Sequence, residues 1–324
     1  MANQDSRPIF PPPFTLPSAP IASTPAGRVK QVWAVGGGKG GVGKSLLASS
    51  LAISLARRNF KTVAIDLDLG GANLHTTLGV DLPRHTLSDF LSRHDHSLKN
   101  SLVNTGIPNL EMISGAKDSI GVANLPMDQQ TRLLQELRTL DADYVVLDLG
   151  AGTGASTIDF FLSADVGMVA ILPEPTSIEN AYRFIKSAYY RKLATSSHLE
   201  PVAAIIQTAL DPNNSLGIRS PSDLFREVNR ASQEAGVRLK EVIDRFQPRL
   251  VMNQARTQTD IDVGFSVKSV CRKYFGIDLD YVGYLDYDSA VWQSVRRKRP
   301  VMLEFPNSRL VTSIERVTES LLKK

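Results

Sequence analysis

From residue 30 onward, short β-branched runs alternate with stretches of helical period. Val32-Trp33-Ala34-Val35 reads as a buried strand, and Ser45–Arg58 as a helix carrying Leu47, Leu51 and Leu55 at four-residue spacing. Further strands are predicted at Thr62–Asp66, Tyr144–Asp148, Gly167–Leu172 and Leu250–Asn253, with helices at Met127–Thr139 and Ser177–Lys192. This alternation predicts an α/β fold: a mostly parallel, twisted β-sheet joined by right-handed crossovers, with helices on both faces. Ligands of such sheets bind at the carboxyl ends of the strands, so residues just after each strand carry the chemistry.

The pattern has three irregular parts. Residues 1–28 hold seven of the eighteen prolines and predict an extended or disordered tail, with the main domain at 29–324. Within the tail, Ile9-Phe10 and Phe14-Thr15-Leu16 read either as a docking motif or as part of a solubilising leader. Residues 197–248 predict a helical insertion: Pro201 opens one helix with Val202, Ile205, Ile206 and Leu210, and Ser222–Phe225 and Leu239–Phe246 suggest two more. At the C-terminal end, Leu310, Ile314, Val317, Leu321 and Leu322 form an apolar stripe, read as the core face of the last helix. Cys271 shares a helical pattern with Val263, Val267, Val270 and Phe275, which places it in the core.

Composition narrows the class. The 324 residues are 42% apolar and 22% charged, which excludes a wholly disordered chain. No apolar run approaches the ~18 residues that span a bilayer, and no secretory leader is visible, so a cytoplasmic protein is expected. A single cysteine builds neither an internal disulfide nor an iron–sulfur site by itself. The net charge of +4 is weak support for anionic partners; the run Arg296-Arg297-Lys298-Arg299 reads as a lipid or DNA contact or as a solvated helix end.

The sharpest signal is Gly38-Lys39-Gly40-Gly41-Val42-Gly43-Lys44-Ser45, followed by Leu46. It fits G-x-x-x-x-G-K-[ST] between a strand and a helix, the phosphate-binding loop of nucleotide hydrolases. Glycines let backbone N–H groups wrap a phosphate, and the following helix adds its positive dipole end. Lys44 is expected on the β- and γ-phosphates and Ser45 on Mg²⁺. Two carboxylates, Asp66 and Asp68, sit at i and i+2 of the next strand end, where a buried acid is costly without a metal, a water or a helix N-terminus beside it. Asp148 ends a third apolar strand before Gly150 and Gly152, and Asn253 ends a fourth.

With the second lysine, Lys39, the loop resembles the deviant Walker A signature K-G-G-x-x-K-[ST] of the MinD/ParA P-loop ATPases. That resemblance implies ATP and Mg²⁺ as ligands, bound by Gly38 through Leu46. It implies catalytic roles for Lys39, Lys44 and Asp68, a metal shell of Ser45, Asp66 and Asp148, and Asn253 on the adenine edge, with Gly283–Asp286 flanking the base. Lys39 would cross a dimer interface to the partner's nucleotide, and Asp68 would orient the attacking water. Leu149-Gly150 after Asp148, and the lack of the usual proline near Asp286, depart from the family.

Segments Asp68–Leu74, Leu78–Val80, His85–Leu87, Asn109–Gly115, Ala123–Leu125 and Pro173–Tyr182 resemble the FlhG/FleN (YlxH-like) branch. This implies an ATP-dependent homodimer that meets a protein regulator and controls flagellar number or the placement of a cellular structure. Relatives often carry a C-terminal membrane helix, so peripheral contact with the inner face of the cell membrane is an expectation as well. The alternative is a DNA-partitioning ATPase of the ParA type, though nucleic acid is the less favoured partner. Metallocluster carriers need paired cysteines, and bacterial tyrosine kinases normally end in a tyrosine cluster; this sequence has neither.

Overall fold

The computed structural model describes residues 29–92, 97–115, 125–196, 200–210, 214–218 and 221–323. The tail at 1–28 and the Ala123-Asn124 pair lie outside the described residues.

Eight strands form one sheet: β1 (Gln31–Gly36), β2 (Thr62–Leu67), β3 (Val103–Asn104), β4 (Leu110–Ile113), β5 (Tyr144–Leu149), β6 (Val166–Ile171), β7 (Arg249–Ala255) and β8 (Asp280–Asp286). Their order is β3-β4-β2-β5-β1-β6-β7-β8, parallel throughout except for the antiparallel edge pair β3–β4. β1, β2 and β5 read as near-continuous apolar runs because both faces are covered. The chain winds from β1 toward β4 on one side and from β6 toward β8 on the other. The turn after β1 therefore sits where the winding reverses, the position at which open α/β sheets bind ligands.

One face is covered by α1 (Lys44–Arg57), α2 (Leu74–Leu78), α11 (Ala290–Arg296), α12 (Val301–Glu304) and α13 (Arg309–Leu322), packed with Trp33, Val35 and Met168 from the sheet. The other carries α3 (Leu87–Leu91), α4 (Met127–Leu137), α5 (Ala155–Ser163), α6 (Pro175–Ser196) and α10 (Gln258–Phe275). The helices α7 (Glu200–Leu210), α8 (Pro221–Ala231) and α9 (Gln233–Asp244) occupy the segment read as an insertion, and α9 packs on α6. Tyr189 on α6 meets Phe246 just beyond α9, which joins these helices to the main core.

Local chemistry explains the helix boundaries. Thr257 and Asp260 form a reciprocal capping box at the start of α10, and the Ser308 hydroxyl accepts from Val311 N at the start of α13. In α13, Leu310, Ile314, Val317 and Leu321 are buried in the core and Leu322 is half-buried, so the stripe is an internal face. Cys271 is fully buried on α10, as its spacing predicts, and burial pushes its thiol up to about 12. Helix α1 differs: its N-cap is Gly43 in a left-handed conformation with no side-chain cap, which leaves its first amides to the ligand site.

Candidate nucleotide site

The loop Gly37–Gly43 joins β1 to α1 and is shaped by close backbone contacts. A Cβ at Gly38 would strike the Asn180 carbonyl, so only glycine fits where the loop passes α6. Gly43 has φ 89°, and a Cβ there would strike the side-chain amide of Asn253. Gly40 and Gly41, by contrast, face open space on the side where a Cβ would project. That opening, next to the uncapped start of α1, has the form of a phosphate cradle.

Lys44 is buried and Ser45 half-buried at the start of α1, beside the end of β5. Asp66 and Asp148 are register partners on adjacent strands β2 and β5, and both are fully buried. Asp66 accepts from Asp68 N and from Leu74 N, each at 3.0 Å, and so ties the strand end to the first turn of α2. Both carboxylate oxygens of Asp148 are buried without a hydrogen bond of good geometry, with the Ser45 hydroxyl and the Lys44 ammonium close by. Burial pushes Asp148 up to about 8, the neighbouring Asp66 charge adds to the rise, and Ser45 and Lys44 oppose it. Asp66 is also pushed up by burial, to about 6, against the two backbone amides it accepts from.

Asp68 is half-buried just past β2, and its Oδ1 lies 3.3 Å from where a Cβ on Gly150 would stand. Gly150 therefore lets the loop after β5 close over Asp68. The same loop returns to the phosphate turn through Gly152 N, which donates to the Gly37 carbonyl at 3.2 Å. Asn73 is exposed at the N-cap of α2 and donates to Gly71 O.

Two sequence-derived residues make tertiary contacts within the chain. Lys39 is half-exposed and turned toward the start of α6, where its Nζ donates to Thr176 Oγ1 at 3.2 Å and lies 3.7 Å from Glu174 Oε2. Asn253 is buried beneath the loop: its amide donates to Val42 O at 2.8 Å and its Oδ1 accepts from Gln254 N. Its side chain thus braces the phosphate turn in this structure. Sequence reading missed Thr176 and Glu174 as partners of Lys39, because nothing in a pattern links residues 137 positions apart.

The site fits a magnesium–nucleotide complex. Among the described residues no three His, Cys, Asp or Glu side chains form a metal cage. Magnesium needs none, since it is typically held by one or two carboxylates, a hydroxyl, waters and substrate phosphates. The orphaned oxygens of Asp148, with Asp66 and Ser45 alongside, supply that donor set.

Fold and site together define a P-loop nucleotide-binding protein. The chain belongs to the ParA family, described as NUBPL iron-transfer P-loop NTPase, whose model matches residues 28–195. It is similar to the antiactivator FleN of Pseudomonas aeruginosa, 27% identical over 90% of this chain and 86% of that one. It is also similar to the flagellum site-determining protein YlxH of Helicobacter pylori, 32% identical over 47% of this chain and 52% of the relative. Among solved structures, the septum site-determining protein MinD of Pyrococcus horikoshii, complexed with Mg-ADP, superposes with a TM-score of 0.61 at 19% identity, over 90% of this chain and 95% of that one. That likeness confirms the MinD/ParA sheet and its helical layers.

Proposed function

We propose that this protein is an ATP-hydrolysing dimerisation switch of the MinD/FlhG type, controlling flagellar number or the placement of a cellular structure. The observation that carries the reading is the contrast between the two lysines of one loop. Lys44 is buried beside Asp148, whereas Lys39 is held outside the pocket by an exposed contact with Thr176 and Glu174. Exposed ion pairs of this kind contribute at most ~1 kcal/mol, so Lys39 is released at little cost to serve a second copy's nucleotide.

In this mechanism the loop amides from Gly38 to Gly43 and the Lys44 ammonium hold the β- and γ-phosphates. Ser45 and Asp148 would hold a magnesium ion, whose charge would offset that of the phosphates, with Asp66 ordering α2 behind them. Asp68 orients the water that attacks the γ-phosphorus, giving ADP and phosphate. Lys39 of each subunit neutralises the charge that builds on its neighbour's phosphates, as an arginine finger does. ATP thereby closes two subunits face to face, and hydrolysis releases them.

The name antiactivator FleN supports a protein regulator as the partner of the closed dimer, and the name flagellum site-determining protein YlxH supports a role in flagellar placement. Iron transfer is set aside for this member, because its 324 residues hold one cysteine and that cysteine is buried. No helix among the described residues is long and apolar enough to cross a membrane. We place the protein in the cytoplasm, in peripheral contact with the inner face of the membrane.

Light scattering with ADP and with ATP, beside Lys39→Ala and Asp68→Ala, tests the switch. The expected result is an ATP-dependent dimer. Hydrolysis should fall on the order of 10³-fold in Lys39→Ala, and in Asp68→Ala it should be lost while the dimer persists. A monomer under every condition, with hydrolysis unchanged in Lys39→Ala, overturns the proposal.

A further inference from the structure

The basic run at 296–299 closes helix α11 and leads into α12, and the structure shows what surrounds it. Trp292 is 63% exposed, Val295 one turn on is 44% exposed, and Leu303 on the adjoining α12 is 48% exposed. The Arg296 guanidinium stacks over the Trp292 ring at 4.7 Å. Arg297 and Arg299 converge on Glu304 at 2.6 and 3.3 Å and fasten α11 to α12. Four cations thus stand against one carboxylate, and Arg296 and Lys298 have no carboxylate partner among the described residues. An exposed tryptophan with two exposed aliphatic side chains, next to a run of four cations, is not the composition of a merely solvated helix end.

The geometry points to this α11–α12 corner as a docking surface for an anionic lipid bilayer. Tryptophan favours the headgroup boundary, where its ring is half-solvated. Arginine and lysine bury their stems in the same layer and keep their charges on the phosphates. Val295 and Leu303 gain from contact with acyl chains, whereas a nucleic-acid backbone rewards the cations alone. The last helix does not supply such a surface, since the apolar stripe of α13 is turned into the core. This inference rests on the membrane contact proposed above, and not on hydrolysis.

Full-length protein, with ADP and with ATP, is sedimented with vesicles of phosphatidylglycerol and phosphatidylethanolamine, and separately with phosphatidylcholine. The native fluorescence reports on the corner directly, because the only other tryptophan, Trp33, is fully buried. Expected are salt-sensitive binding to the anionic vesicles alone and a blue shift of Trp292. Arg296→Ser with Lys298→Ser should weaken binding about thirtyfold, and Trp292→Ala with Leu303→Ser should weaken it too, with the unfolding midpoint unchanged in both. Absence of vesicle binding by the wild type overturns the membrane contact itself. Binding that survives both double variants, or leaves Trp292 emission unmoved, overturns this surface while leaving the contact in place. Binding to duplex DNA in place of vesicles, lost with Arg296 and Lys298 but kept in Trp292→Ala with Leu303→Ser, assigns the corner to nucleic acid and overturns the proposal.

Discussion

At the scale of single residues, the site is a place where stability is given up. Asp148 is buried, both its oxygens lack hydrogen bonds, and the Asp66 charge lies on the neighbouring strand. Its pKa is raised from 3.8 to about 8, so between those values the folded state holds a proton that the unfolded state has lost. Stability of the nucleotide-free protein therefore falls as pH rises through that window. Asp148→Asn removes the charge while nearly keeping the shape. It should raise the nucleotide-free unfolding free energy at pH 8 by a few kcal/mol and abolish hydrolysis, a trade common at active sites. Calorimetry of the two proteins at pH 8 checks this; a lower midpoint for the variant would show that Lys44 depends on Asp148 more than Asp148 suffers from burial. The identity of this residue was legible in the sequence as an acid ending an apolar strand. Its isolation was not, because that depends on Asp66 and Ser45 arriving from other elements.

At the scale of elements, α2 links the site to the surface. Asp66 holds its first amide, and the residue that caps its C-terminal end, Gly79, has φ +72° and packs against Lys298 and Pro300. A Cβ at Gly79 would lie 3.0 Å from both the Lys298 carbonyl and Pro300 Cδ. Gly79→Ala combines that crowding with a left-handed backbone, and should cost about 1–2 kcal/mol of stability. Urea denaturation measures it, and an unchanged midpoint would mean that the α11–α12 corner moves away freely. Legibility differed between elements for similar physical reasons. β1, β2 and β5 were visible because strands covered on both faces are continuously apolar. β4 has only four residues, and β8 is interrupted by Gly283 with register shifts against β7, so neither gives a clear period. The contact of Lys39 with the start of α6 was invisible because it is a tertiary contact between exposed polar groups, which leave no apolar signature.

At the scale of the molecule, the sheet brings Lys44, Ser45, Asp66, Asp68 and Asp148 to one end, the carboxyl ends of its three central strands and the start of α1. The cost of gathering two carboxylates there is a property of the whole fold, so a ligand that offsets it should stabilise the whole fold. Magnesium binding needs these groups ionised and releases protons where they are not. In the nucleotide-free state burial, with the two charges on adjacent strands, holds Asp66 and Asp148 above the usual carboxylate range as a pair, so magnesium must displace more protons at pH 6 than at pH 8.5. Mg-ATP should accordingly raise the unfolding midpoint more at pH 8.5 than at pH 6, by linkage between ligand binding and folding. ATP with a chelator leaves the carboxylates uncompensated and adds phosphate charge nearby, so its gain should be small and should shrink as pH rises. Differential scanning fluorimetry at both pH values, with magnesium or chelator, separates the two trends. An equal gain from ATP with and without magnesium at pH 8.5 would mean that Asp148 does not face the ion, and that the phosphate turn binds nucleotide through its amides and Lys44 alone.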